Sequence, residues 1–453
     1  MTRPPGHPGD RGVVIAPGYL PYRGSGVVGT RWNVGTTVAR WIYEVLFNGP
    51  LPSRDVLHHE RLQSVKKVLV IGVHGWALFG GRMFSWSPDA MSTKLARMMG
   101  DATMQRLREA GINHEISIQH VSLSGHGLVD ARLQDYLMDQ LPEHEDAIRS
   151  CDILIIASHS QGAVLAGVLL DRLMERDWIS PLKQAIIGLA SIAGVHHGPF
   201  SDLPTDQFAA TAELFALGKP YEVVSERSLQ AITRLLDNHV RVVAFAAYMD
   251  NVVPLFSSSL HSVSSHPNLL RAIFFPDESE VDTFPGLLVR FCLQWRNTRP
   301  EHADLLPHLS GFFRGKFLHL SGSHSLIHAC QSVYDLAAEW ILRPPASNSA
   351  SHRATLAEHT SAHWATYMNS SFFESDLNAY FIRSRLRFLL DGAAGDPSFH
   401  LADLHGAFQA WTPKSKSHRH LRQVLAPLFA PANNAESSSI SVPPSTVQPP
   451  AKL

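Results

Sequence analysis

Cysteine is scarce. The 453 residues hold three, Cys151, Cys292 and Cys330, far apart and with no C-x-x-C pair. That spacing argues against a disulfide framework and against a thiolate zinc site, and it suits a reducing compartment. Net charge is almost absent as well: 39 Lys and Arg stand against 40 Asp and Glu. A general nucleic-acid binder needs surplus cations to release phosphate counterions, so that class is set aside. No apolar run reaches the ~18 residues that a membrane-spanning helix requires. The longest, "VLVIGV", "ILIIA" and "AIIGLASIAGV", have the length of buried strands. The opening "MTRPPGHPGDRG" lacks the apolar centre of a signal peptide. The expectation is a soluble, cytoplasmic protein with no cofactor, peripheral membrane contact being left open.

What is present is an alternation. From Lys66 onward, strand-like runs ("KKVLVIGV", "HEISIQHVSL", "DILIIAS", "QAIIGLASIAG", "VRVVAFAAY", "GKFLHL") alternate with helix-patterned segments. This implies an α/β architecture, a mostly parallel central sheet with helices on both faces. The chain divides into an arm (1–60) with a short amphipathic helix at 36–48, and a main domain (61–343). A helical lid is expected at about 200–238 and an insertion at about 257–312. A linker (344–360), a C-terminal helical extension (361–430) and a Pro/Ser-rich disordered tail (431–453) follow.

The chemistry gathers at "ILIIASHSQGA", residues 153–163. An apolar strand ends in a serine and continues at once as a helix, the context of a nucleophile elbow. The usual spelling is G-x-S-x-G; here Ser158 replaces the first glycine, Gly162 keeps the second, and Ser160 is the candidate nucleophile. A serine hydroxyl needs a histidine base, and the histidine needs a carboxylate, in the chain order Ser, acid, His. Asp250, just after "VRVVAFAAY", is the expected acid, with Asp202 as its rival. His324, in the turn "GSHS", is the expected base; His319 and His328 are worse placed, within a strand and on a helix. The oxyanion donors are expected to be the backbone N–H groups of Trp76, after "HG", and of Gln161.

Other motifs weigh less. "VHGWALFGG" lacks the G-K-[ST] ending of a phosphate loop, and no glutamate follows His324 in the i, i+4 pair His324/His328, so no metal is expected. His196-His197 sits at a strand end, where it either lines a pocket or is plain polar loop. Phe208, Leu214, Phe215 and Leu217 in the lid favour an apolar acyl group, or form ordinary lid core. The basic "KSKSHRHLR" and the 36–48 helix either touch a lipid surface or are a solvated helix entry and a packed surface helix.

The segments "IGVHGW", "ASHSQGA", "AGVHHGPFSDLP", "YMDNVVPLFSSSLHSVSSHPNLLRAIF", "GSHSLIHACQSVYDLA" and "LNAYFIRSRLRFLL…FQAWTPKSK" together resemble a mostly uncharacterised fungal family of large proteins with an alpha/beta-hydrolase domain. The resemblance runs from about Lys66 to about Phe429. It implies a lipase- or esterase-like serine hydrolase and leaves the specificity open; the triad itself points to acyl transfer from a small-molecule or lipid ester, thioester or amide to water. The nucleophile then falls on Ser160, the acid on Asp250 and the base on His324; the double histidine 196–197 departs from the family's usual residues. The competing expectation is a catalytically silent scaffold of the same fold that binds a partner.

Overall fold

The apolar runs pair into one sheet. The computed structural model describes residues 12–19, 61–75, 88–181, 183–184, 186–201, 203, 209–300, 305–315, 322–343, 353–356 and 375–430. Its strands are β1 (Val13–Ile15), β2 (Lys67–Val73), β3 (Ser117–Leu123), β4 (Ile153–His159), β5 (Ile186–Ile192), β6 (Arg241–Ala247) and β7 (Leu269–Phe275). They lie in the order β1-β7-β6-β5-β4-β2-β3. All pairs are parallel except β1 with β7.

Among the described residues, the α-helices of seven residues or more are α1 (Pro88–Glu109), α2 (Val129–Asp135), α3 (Gln161–Glu175), α4 (Ala209–Ala216), α5 (Val223–Asp237), α6 (Phe284–Thr298), α7 (Gln331–Ile341), α8 (Asp376–Ala393), α9 (Leu401–Ala410) and α10 (Lys416–Phe429). Each central strand is apolar on both sides because each side meets a helix layer. Val68, Val70, Ile153 and Ile155 pack with Leu95 and Met99 of α1 and Val333 and Ala337 of α7. The alternate residues Leu69, Ile71, Leu154 and Ile156 pack with Val164 and Val168 of α3 and Ile232 and Leu235 of α5. Each such side chain, fully buried, contributes about 1.5–3 kcal/mol. The register aligns the strand ends: Val73 pairs with Ser158, Ser158 with Ser191, and Ile192 with Phe245. The residues that leave β2, β4 and β6 therefore emerge along one carboxyl rim, where ligands of open parallel sheets bind.

Three segments depart from the sequence expectation. The arm contributes β1, an antiparallel edge strand. The segment 257–312 is not a simple insertion, since it supplies β7 and α6. Arg271 interrupts the apolar pattern of "LLRAIFF", yet it is fully buried because its guanidinium donates to the carbonyls of Ser259 (2.8 Å), Leu260 (3.1 Å) and Arg296 (3.1 Å). In the segment expected as a lid, α5 is a crossover helix packed on α3, and Leu214 and Leu217 of the α4 region join the same core rather than an open acyl surface.

Beyond the sheet, α8, α9 and α10 build a further core with α6, in which Ile382, Leu386, Phe408 and Leu425 meet Phe284, Leu288 and Trp295. The basic stretch opens α10, capped by the Ser415 hydroxyl accepting from the His418 N–H at 3.0 Å. The 36–48 helix, the "KFLHL" strand residues 316–320, Phe208 and the tail lie outside the described residues.

Candidate active site

Ser160 stands where β4 becomes α3. Its backbone has φ 57° and ψ −127°, a region that costs on the order of 1–3 kcal/mol for a residue with a side chain. The surroundings hold it there: its N–H donates to the Ile192 carbonyl at 3.0 Å. The close approach explains the glycines. A Cβ on Gly162 would lie 2.3 Å from the His74 carbonyl oxygen, and one on Gly75 would lie 2.6 Å from the Ser160 Cβ. The serine that replaces the first elbow glycine is accommodated because the Ser158 hydroxyl, fully buried, donates to the Ala190 carbonyl of β5 at 3.0 Å.

Three side chains from distant parts of the chain meet at the rim. His324 sits on a one-turn helix, Ser323–Leu326. Its Nε2 is 3.2 Å from the Ser160 Oγ and its Nδ1 is 2.9 Å from the Asp250 Oδ2. Asp250 follows β6 and is 2% exposed. Its Oδ1 accepts from the Val252 and Val253 N–H groups at 2.7 and 2.9 Å, which fixes the other oxygen toward the imidazole. With Nδ1–H donating to the carboxylate, Nε2 is left as an acceptor for the serine hydroxyl. The expected Ser160, Asp250 and His324 are thus brought together. Asp202, Trp76 and His319 lie outside the described residues.

Gln161 opens α3, whose first-turn N–H groups have no intrahelical acceptor. Its side chain is tied down on three sides: Oε1 accepts from Arg132 at 3.0 Å, and Nε2 donates to the Gly127 carbonyl at 3.0 Å and to Glu213 Oε2 at 3.4 Å. Arg132 also donates to the His74 carbonyl and the Tyr136 hydroxyl, both at 2.8 Å. This buried guanidinium therefore links the β2 exit to the elbow. Glu213, on α4, accepts from the Val129 N–H at 2.8 Å, and burial raises its pKa.

Sequence reasoning missed Arg132, Glu213 and His159. The His159 ring lies 4.8 Å from that of His324 and 5.0 Å from that of His328, and its Nε2–H donates to the His324 carbonyl at 2.9 Å. Burial, reinforced by the neighbouring His324 and His328, holds its pKa far below the ordinary histidine value. His159 lies within the elbow itself, but its contacts with His324 and His328, like those of Arg132 with Gln161 and of Glu213 with Val129, join residues remote in sequence. His196 and His197 are not an exposed polar loop. Both are buried: His196 meets the Ser191 hydroxyl at 2.8 Å, and His197 stacks on Phe256 and meets the Ser262 hydroxyl at 3.2 Å. Among the described residues, no three His, Cys, Asp or Glu are placed to hold a metal ion, and no helix is long and apolar enough to cross a membrane.

The pattern defining the YMC0/YMC35 alpha/beta hydrolase domain matches residues 37–369. The chain belongs to this family. It thus has the alpha/beta-hydrolase fold, with α8 to α10 lying beyond the matched region. Among solved structures, one described with the metagenome-derived lipolytic enzymes LipS and LipT is 18% identical, with a TM-score of 0.24, over 43% of this chain and 76% of that one. Phospholipase PlaB from Legionella pneumophila is 13% identical, with a TM-score of 0.30, over 60% of this chain and 63% of that one, just under two thirds of its length. Among curated proteins, none matches the chain.

Proposed function

We propose that the protein is a serine hydrolase that cleaves an ester through an acyl-enzyme. The observation that carries this reading is the hydrogen-bonded chain Ser160–His324–Asp250 at the carboxyl rim, with the serine on a strained elbow. In the first step His324 Nε2 takes the Ser160 proton as Oγ attacks the carbonyl carbon. Asp250 holds the imidazole in the required tautomer and stabilises the imidazolium. The oxyanion is held by the Gln161 N–H at the start of α3, with the Trp76 N–H as the second donor expected from the sequence. Losing one such donor typically costs about 2.7–4 kcal/mol of transition-state stabilisation. His324 then gives its proton to the leaving alkoxide, and water releases the acyl group by the same route in reverse. Arg132 and Gln161 are assigned positioning roles, holding the β2 exit against the elbow.

The test is covalent. A fluorophosphonate probe is expected to label the folded wild type and to leave Ser160→Ala unlabelled. A folded wild type that stays unlabelled would favour the silent-scaffold alternative instead. p-Nitrophenyl esters of increasing chain length then define the acyl group.

A further inference from the structure

A cavity of about 380 Å³ opens at the other end of the sheet, lined by Tyr19, His266, Leu269, Leu270, Trp340 and Arg343. Leu269 and Leu270 begin β7, so the cavity faces the amino rim. A seven-residue strand, roughly 20 Å long, separates that rim from the one that carries Ser160.

Its charge is unbalanced. The Arg343 guanidinium carbon lies 4.7 Å from the centre of the Tyr19 ring. Arg241 lies 5.7 Å from the Trp340 ring and donates to the Trp340 carbonyl at 3.3 Å. Among the described residues neither arginine has a carboxylate partner; Glu339 is engaged by Arg106 and by the Tyr19 hydroxyl, each at 3.3 Å. Burial and the charge of Arg343 push the Arg241 guanidinium down to about 10. The Trp340 side chain is buried, and its indole N–H finds no acceptor among the described residues. Of the two guanidinium groups only that of Arg343 lines the cavity, with Arg241 buried behind Trp340; an unneutralised guanidinium and an unused indole donor, beside leucine side chains, call for an oxyanion carried on an apolar body.

We propose that this cavity binds a small organic anion, its carboxylate or phosphate group held by Arg343 and the Trp340 indole N–H and its apolar part resting on Leu269 and Leu270. The site is independent of the catalytic reading and is tested by binding alone, on the full-length Ser160→Ala protein. Calorimetry with phenyl phosphate and with benzoate distinguishes phosphate from carboxylate. Benzamide, the neutral counterpart of benzoate, tests the need for charge. At least one of the two anions is expected to bind saturably at a single site, and benzamide about tenfold more weakly or not at all. Arg343→Gln, at a half-buried position, is expected to weaken the anion about tenfold. Trp340→Phe, which keeps an aromatic ring and deletes the donor, is expected to weaken it several-fold and to remove the indole N–H resonance that shifts on titration. No saturable binding to the folded protein, equal binding of benzoate and benzamide, or undiminished binding in Arg343→Gln would each overturn the proposal.

Discussion

Two small residues beside Ser160 are constrained for different reasons. Gly162 is required by distance, since any Cβ there meets the carbonyls of His74 and Val73. Gly162→Ala is expected to cost about 1–3 kcal/mol through forced separation of β2 from α3 and to abolish probe labelling. Thermal unfolding and fluorophosphonate labelling check both effects. Ser158 is required only to be small. Ser158→Gly loses its bond to Ala190, costing about 1 kcal/mol in unfolding free energy, and is expected to keep labelling within a few-fold. Asp250→Asn tests the acid. The amide keeps the shape but no longer forces Nδ1–H to donate, and kcat on an activated ester should fall by about 10⁴-fold with little change in KM. A small effect would move the acid's role elsewhere.

At the scale of elements, the segment 255–266 opens with a one-turn helix, Leu255–Ser258, and the carbonyls beyond its start are held by buried cations. Arg271 on β7 and Arg296 on α6 both donate to its carbonyls, Arg296 reaching His261 at 2.9 Å. Arg271→Met removes the donors and leaves several buried carbonyls unpaired. The expected loss is about 3–5 kcal/mol, read from denaturant unfolding, and a change below about 1 kcal/mol would contradict this account. The same arginine explains why β7 is hard to see in the sequence. A charge at its centre breaks the apolar run, and the carbonyls that satisfy it come from another segment. By contrast β2, β4, β5 and β6 are legible because both faces are covered and their runs are uninterrupted. The elbow is legible because strand, serine, glycine and helix are contiguous.

For the molecule as a whole, buried histidines set a pH dependence. His159, His196, His197 and His328 are held neutral by burial, His328 at about 4 and His196 at about 3. The unfolded chain takes up protons on these rings below the ordinary value of 6.5, whereas the folded chain does not until far lower. Their contribution is therefore fully present above 6.5 and is lost as pH falls from 6.5 toward 4. Each ring weakens the fold by roughly 1 kcal/mol per pH unit in that window. Melting temperature should be flat from about pH 8 to 7 and fall steeply below 6.5. A flat profile down to pH 5 would show that these rings are not held neutral.

Local order in the sequence determined much of this protein. Uninterrupted apolar runs alternating with helical patterns specify a covered parallel sheet, and the contiguous elbow singles out Ser160 because the turn is built from neighbours in the chain. Chain order then pointed to Asp250 and His324 as candidates among many carboxylates and histidines. Only the tertiary structure decided that they meet, because the distances of 2.9 and 3.2 Å depend on strand register across the sheet. The same holds for Arg132, His159 and the cavity lined by Arg343 and Trp340. Each is defined by groups that come within hydrogen-bond or ring-contact range only after the sheet has assembled, and spacing along the chain carries no trace of that proximity.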